Sequence, residues 1–242
     1  MRIDNAEQRR IIAQLILNEK MTFNQLWGKR GDSNKLAYHV NRLVENGILT
    51  KTPSGYSLSA KGKALSALLD GDGNSAPQPV MAYVVIIHKA GKMLCQERLK
   101  EPFRGYVSFI SGNVKFGSSI IECAIAGVKK QAGLDLIHPM IKGTEEIVTF
   151  EGDEPLYHHI ISVVTGGCEG ELNTEIPGKR NRWVTKKQLS LEKLFPKIAL
   201  DELLDPAVES VRAYGHRYMK DGEFTGGKVL WKDAIPINRP KR

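Results

Sequence analysis

The sequence contains no apolar run approaching the roughly 18 to 20 residues that span a bilayer. Its first ten residues, Met-Arg-Ile-Asp-Asn-Ala-Glu-Gln-Arg-Arg, lack the apolar middle and small-residue cleavage site of a secretory leader. The expectation is a cytoplasmic protein with no membrane partner. There are only 3 cysteines, Cys95, Cys123 and Cys168, and their odd number and wide spacing exclude a disulfide framework. Glycine-rich phosphate loops, zinc-protease His-Glu-x-x-His pairs and cysteine metal spacings are all missing, so no metal site is expected. No internal repeat or low-complexity tract is present. What remains is ordinary for a globular protein: 41% apolar and 26% charged residues, a balance that argues against long disorder or a fibrous architecture. A chain of 242 residues is long for one compact domain, which makes two domains the starting expectation.

Charge is uneven. Residues 1–70 hold 11 Lys/Arg against 6 Asp/Glu, residues 212–242 hold 8 against 3, and the stretch between them is near neutral. Any polyanion would therefore meet the two ends rather than the middle, unless these are simply solvated surfaces. The clearest joint is Asp70-Gly-Asp-Gly-Asn-Ser-Ala-Pro-Gln-Pro79, rich in turn formers and without periodicity. It divides the chain into a domain over 1–70, a linker over 71–79, a second domain over 80–205, and a C-terminal helix with a basic tail over 206–242.

Before the joint the signals are helical. Ile11, Ile12, Leu15 and Ile16 fall at helical spacing within a segment from about Ala6 to Glu19. Thr22 caps a short helix containing Leu26, and Gly31-Asp32-Ser33 breaks into a third helix that Gly47 ends. Two short strands around Pro53-Ser54-Gly55 and a closing helix from about Ala60 to Leu69 complete the order. On the third helix, Leu36, Val40, Leu43 and Val44 cover about 100° of one face. Asn34, Lys35, Tyr38, Asn41 and Arg42 cover the other, and His39 sits on the boundary, able to pack or to point outward.

The stretches Leu36-Ala-Tyr-His-Val-Asn-Arg-Leu-Val-Glu-Asn-Gly-Ile-Leu49 and Gly55-Tyr-Ser-Leu-Ser-Ala-Lys-Gly-Lys63 resemble the recognition helix, wing and final helix of winged helix-turn-helix regulators. That resemblance implies binding of double-stranded DNA. The outward amides, lysine, arginine and phenol of the third helix are base-edge and phosphate partners. Lys51 in the wing, with Lys61 and Lys63 nearby, would hold the backbone. The alternatives are a solvated polar face or a winged helix that binds protein.

Beyond the joint, strands precede and follow one central helix, the pattern of a mixed α/β sandwich. The segments Phe109-Ile-Ser-Gly-Asn-Val-Lys-Phe-Gly-Ser-Ser119 and Cys123-Ala-Ile-Ala-Gly-Val-Lys-Lys-Gln-Ala-Gly-Leu134 resemble the loop and helix of the Nudix family. Arg182-Trp-Val-Thr-Lys-Lys-Gln-Leu189 is similar to the strand-into-helix passage near the end of that domain. The apolar and glycine skeleton of the Nudix signature stays in register at Gly112, Val128, Gly133 and Leu134. Its acids do not. The first glutamate position carries Ser118, the Arg-Glu pair carries Ala126 and Gly127, and the Glu-Glu pair carries Lys130 and Gln131.

Family members use those carboxylates to hold divalent cations, and hard cations such as Mg²⁺ require oxygen ligands. An ammonium at Lys130 offers donors only. Glu122, the one acid inside the box, falls on the far side of the helix. Glu145, Glu146, Glu151, Asp153 and Glu154 would have to reach the site from other elements to restore a Mg²⁺-dependent hydrolase. The eroded box permits another use, with Lys130 and Gln131 binding a phosphate directly, unless Lys130 is only a solvated helix residue. His158 and His159 on a strand point to opposite faces and would not share a metal. Trp183 and Cys123 read as core. A helix is expected from Ala199 to about Lys220, with Leu203, Leu204, Val208 and Val211 for packing and Pro206 as interruption or new start. Residues 221–242 alternate glycine, aromatic and basic residues, end in Asn238-Arg-Pro-Lys-Arg242, and read as a solvated terminus or as an arm for nucleic acid or a partner subunit.

The combined expectation is an α+β protein: three helices, a β-hairpin wing and a closing helix, followed by a Nudix-like α/β/α sandwich with a mixed sheet. Its expected role is a homodimeric DNA-binding regulator. A non-catalytic Nudix-like domain would sense a nucleotide or another phosphate-containing small molecule, or mediate assembly, with no cofactor. A Nudix hydrolase of nucleoside diphosphate derivatives with displaced metal ligands and a protein–protein adaptor are the competing readings.

Overall fold

The computed structural model describes residues 5–66, 78–100, 103–195 and 198–237. The chain divides into two compact units, residues 1–78 and 79–242. Most of the expected linker, the end of the closing helix and the tail Asn238–Arg242 lie outside the described residues.

In the first unit, α1 (Ala6–Leu17) starts where the Asn5 side chain accepts from the Glu7 and Gln8 amides. A reciprocal capping box between Thr22 and Gln25 opens α2 (Phe23–Trp27), and left-handed Gly28 ends it. The Asp32 side chain caps α3 (Ser33–Glu45). Strands β1 (Leu49–Thr52) and β2 (Gly55–Leu58) form an antiparallel hairpin, and α4 (Ala60–Ser66) follows. The apolar stripes meet in one core that includes Ile11, Ile12, Leu15, Leu26, Leu36, Val40 and Leu43. His39 packs into this unit and is only 6% exposed. That settles the boundary position in favour of packing, and its Nδ1 has no hydrogen-bond partner.

The second unit begins with β3 (Val80–Lys89), β4 (Lys92–Arg98), β5 (Val107–Ser108) and β6 (Ile110–Asn113). Helix α5 (Ile120–Ala132) runs from a Ser119–Glu122 capping box to left-handed Gly133. The long strands β7 (Asp135–Glu151) and β8 (Glu154–Glu169) come next, then β9 (Glu175–Ile176) and β10 (Lys179–Val184). Short helices α6 (Lys186–Leu189) and α7 (Leu200–Leu204) precede β11 (Val208–Lys220) and β12 (Glu223–Pro236). The sheet order is β12-β11-β7-β8-β3-β4-β10-β9, with β5 on β4 and β6 on β3. It is mixed, because β3 runs parallel to β8 and β11 parallel to β7 while the other pairs are antiparallel. One apolar cluster lies under α5, and a second packs with the segments around α6 and α7.

The C-terminal region departs from expectation. The helix expected across Ala199–Lys220 exists only as α7, and residues 208–236 form a hairpin that extends the main sheet. Helical spacing at Leu204, Val208 and Val211 obscured a period-two pattern: Val211, Ala213, Gly215, Arg217 and Met219 are buried in alternation with less buried neighbours. The reversal is made by Asp221-Gly222, both with positive φ (52° and 79°), as a two-residue hairpin turn demands. The second unit therefore does not stop near residue 205.

Docking of this hairpin depends on Gly143, which pairs with Val211 across the parallel β7–β11 ladder. A Cβ at Gly143 would stand 2.3 Å from the Val211 carbonyl oxygen, a backbone atom that cannot swing aside. Gly143→Val is expected to destabilise the chain by about 1–3 kcal/mol in urea or thermal unfolding. A midpoint equal to wild type would contradict this register.

Candidate functional site

The eroded Nudix box is filled by protein. Tyr83 rises from β3 toward α5 and is buried. A Cβ built on Gly127 would stand 2.0 Å from the Tyr83 hydroxyl, and one on Gly112 would stand 2.6 Å from it. The phenol thus takes the space that a side chain at position 127 would need. Burial, with a smaller contribution from neighbouring Cys123, holds the Tyr83 pKa above the ordinary phenol value.

Gln131, at the second glutamate position, is committed at both ends of its amide. Its Nε2 donates to the Ser111 carbonyl at 3.0 Å, and its Oε1 accepts from Lys179 Nζ at 2.7 Å. Its backbone carbonyl accepts from Asn181, which also donates to the Asn173 carbonyl and accepts from Gln96. Ser118, Ala126 and Lys130 are solvent-exposed. The lysine beside the box is therefore Lys179 from β10. Lys130 is exposed on α5 and is not among the described residues that line the cavity below, whereas Gln131 is bonded to Lys179 and Ser111.

A divalent cation, which the Nudix fold implies, does not fit this donor set. Position 127 has no side chain, and the Gln131 oxygen faces an ammonium. Of the acids considered as substitutes, Glu151, Asp153 and Glu154 lie exposed about the β7–β8 turn and do not line the cavity described below. Glu145 Oε1 accepts from the Ile198 and Ala199 amides, both at 3.2 Å, and Glu146 pairs with His158 at 3.1 Å. Glu122 is spent on the Ser119 cap. Among the described residues, no group of three or more His, Cys, Asp or Glu is placed to hold a metal ion.

The concave side of the sheet instead opens into a cavity of about 360 Å³. Its cationic lining is Arg98 from β4, Lys179 from β10 and Arg217 from β11, and no carboxylate lines it among the described residues. Arg98 and Lys179 stand directly opposite each other in the β4–β10 ladder, a like-charge arrangement that costs stability unless an anion lies between. Burial, followed by the charges of Arg98 and Lys100, lowers the Lys179 pKa. Burial brings the Arg217 guanidinium down to about 10 against the opposing pull of Glu145, leaving it charged at neutral pH.

His159 reaches the cavity from β8 while His158 pairs with Glu146 on the other face, as the pleat requires. Burial, then Arg217, then His158 lower the His159 pKa, so this ring is neutral at pH 7. One wall is aromatic. Phe103 stacks on Phe224 with centroids 5.0 Å apart, and Phe195 packs edge-on against both. Sequence reading did not find this set, since its cations and rings come from separate stretches that carry no motif. Only strand register joins them.

In the first unit, Asn34, Lys35, Tyr38, Asn41 and Arg42 are all exposed along α3, opposite its buried stripe. Arg42 lies 3.6 Å from Glu45. Exposed Lys51 stands over the Tyr56 ring on the hairpin. Lys61 is engaged with the Asn46 carbonyl at 2.8 Å.

No protein-family model matches the sequence, and no curated protein matches it. Solved structures do. The mutator MutT protein from Bacillus halodurans is similar at 19% identity over 62% of this chain and 97% of that one, with a TM-score of 0.51. A MutT Nudix hydrolase from Burkholderia pseudomallei is similar at 16% identity over 45% of this chain and 84% of that one, TM-score 0.40. The Nudix domain of Shewanella oneidensis NrtR, solved with ADP-ribose, is similar at 11% identity over 55% and 88%, TM-score 0.44. At such identities the likeness to MutT shows the fold: the large mixed sheet and its helices form a Nudix-like domain.

The fit between Tyr83 and Gly127 is testable. Gly127→Glu is expected to cost about 1–3 kcal/mol by overpacking. Combining it with Tyr83→Ala should recover part of that cost, giving a coupling of about 0.5–3 kcal/mol in thermal melts. Strict additivity of the two changes would show that they do not compete for one space.

Proposed function

We propose that this chain is a DNA-binding transcriptional regulator, with a winged helix in residues 1–70 and a Nudix-like effector domain that binds a nucleotide-type ligand without hydrolysing it. The observation that carries the reading is the cavity: three cations, an aromatic wall and no carboxylate among its described lining residues. Such a lining attracts a phosphorylated ligand directly and, among its described residues, offers no carboxylate to hold a hard cation that would activate water. Phe103, Phe195 and Phe224 suit a flat apolar group such as a base. The Arg98–Lys179 pair suits its phosphates.

The DNA-binding half of the reading rests on α3. Its exposed side holds two amides, a phenol, a lysine and an arginine, residue types that read base edges and grip phosphates. Lys51 on the hairpin adds a backbone contact. Pairing of two copies would present two such helices to half-sites one helical turn apart. Dimerisation and a cytoplasmic location belong to the same proposal.

Two assays test it. Gel-shift titrations should show duplex binding that weakens steeply as salt rises. The Lys35→Ala, Arg42→Ala double variant should bind at least about tenfold more weakly. Salt-insensitive binding, or unchanged affinity in the variant, would remove α3 as the reading surface and favour an adaptor. In the second assay, nucleoside diphosphates should raise the melting temperature in EDTA and stay intact over hours with Mg²⁺. Steady Mg²⁺-dependent turnover would establish the competing hydrolase.

A further inference from the structure

The C-terminal hairpin carries into the cavity a charge that lies outside the Nudix box. Arg217 on β11 is only 7% exposed, lines the cavity, and has an Nε–H with no hydrogen-bond partner. It makes no ion pair among the described residues. Glu145 lies behind it, with one oxygen held by the Ile198 and Ala199 amides and the other buried without a partner. Thr149 on β7 is the direct ladder partner of Arg217. On β8, Tyr157 is the ladder partner of Thr149 and His159 follows two residues on; both line the cavity, and the His159 Nδ1 is buried and unpartnered too.

Unsatisfied buried donors are rare in native proteins, and a charged one at a cavity wall marks a place where a ligand completes the hydrogen bonding. A guanidinium presents its N–H groups as a planar fork matched to oxyanions. Beside it stand a threonine hydroxyl and an imidazole held neutral by burial and by Arg217 itself. That imidazole keeps one ring N–H that can donate to an oxyanion. Three adjacent strands thus supply donors of different direction, which suits a tetrahedral phosphate better than a flat group.

We infer that Arg217, with Thr149 and His159, forms a metal-free seat for a phosphate group of the effector, distinct from the Arg98–Lys179 pair. The inference rests on the reading of this cavity as an effector site. It makes the hairpin part of that site, because occupancy ties β11 to β7 and β8 through the bound anion. It also specifies the ligand class as phosphorylated small molecules that bind in the absence of divalent cations.

The probe is inorganic pyrophosphate, titrated calorimetrically into the full chain in EDTA. Arg217→Met should weaken binding by at least about tenfold, as loss of a buried charged partner does. Arg217→Lys, which keeps the charge and loses the fork, should weaken it less. Because removing Arg217 leaves Glu145 without its compensating charge, a measurement on the wild type guards against misfolding. The Arg217 Nε–H resonance in a nitrogen-15 spectrum, assigned with the lysine variant, should shift on addition of pyrophosphate. If pyrophosphate binds the wild type while the Arg217→Met affinity and the Nε–H signal stay unchanged, this seat is overturned and the effector cavity stands. If neither pyrophosphate nor nucleoside diphosphates bind at millimolar concentration, both fall together.

Discussion

Between α5 and the sheet, the phenol of Tyr83 occupies a space that exists only because Gly127 and Gly112 have no side chains. Close packing of this kind leaves little freedom, since protein interiors are near the density of organic crystals. The contact sets the distance between the helix and β3, and through β3 it sets the position of the strands that frame the cavity. It also decides the chemistry. A helix that meets the sheet through a tyrosine at this point cannot present a carboxylate there, and Gln131 one turn on is bonded to Lys179 and Ser111.

The charge around the cavity is cationic: Arg98, Lys179 and Arg217 line it, with amides between them. Gln96, Asn181 and Gln131 form a connected network of hydrogen bonds, which holds Lys179 through Gln131 Oε1 without adding negative charge. Buried amide networks of this kind rigidify a site when their members are satisfied. The orphaned atoms lie elsewhere, at Arg217, His159 and Glu145. One side of the cavity is complete and the other is left with hydrogen bonds to make.

Local rules carried most of the reading from sequence. Thr22 and Asp32 start helices where N-cap chemistry places them, and the third helix stops just before Gly47, which takes the left-handed conformation. The register of Gly112, Val128, Gly133 and Leu134 on the Nudix signature could be read because each of its positions has a fixed spacing. The hairpin at 208–236 was misread although Asp221-Gly222 is a strong turn signal, because aliphatic residues four and three apart at Leu204, Val208 and Val211 imitate a helix. The cavity was not legible at all. Arg98 and Lys179 are 81 positions apart in the sequence, and their juxtaposition appears only in the β4–β10 register. Long-range pairing leaves no periodic trace in either strand.

The Tyr83–Gly127 fit also constrains how such a protein can change. Any side chain at 127 collides with the ring unless the ring has already shrunk, and a smaller residue at 83 opens a void unless position 127 has already grown. Each replacement is penalised alone, so the two positions are expected to change together. The two positions therefore behave as one unit, and a substitution at either reports directly on the spacing between α5 and β3.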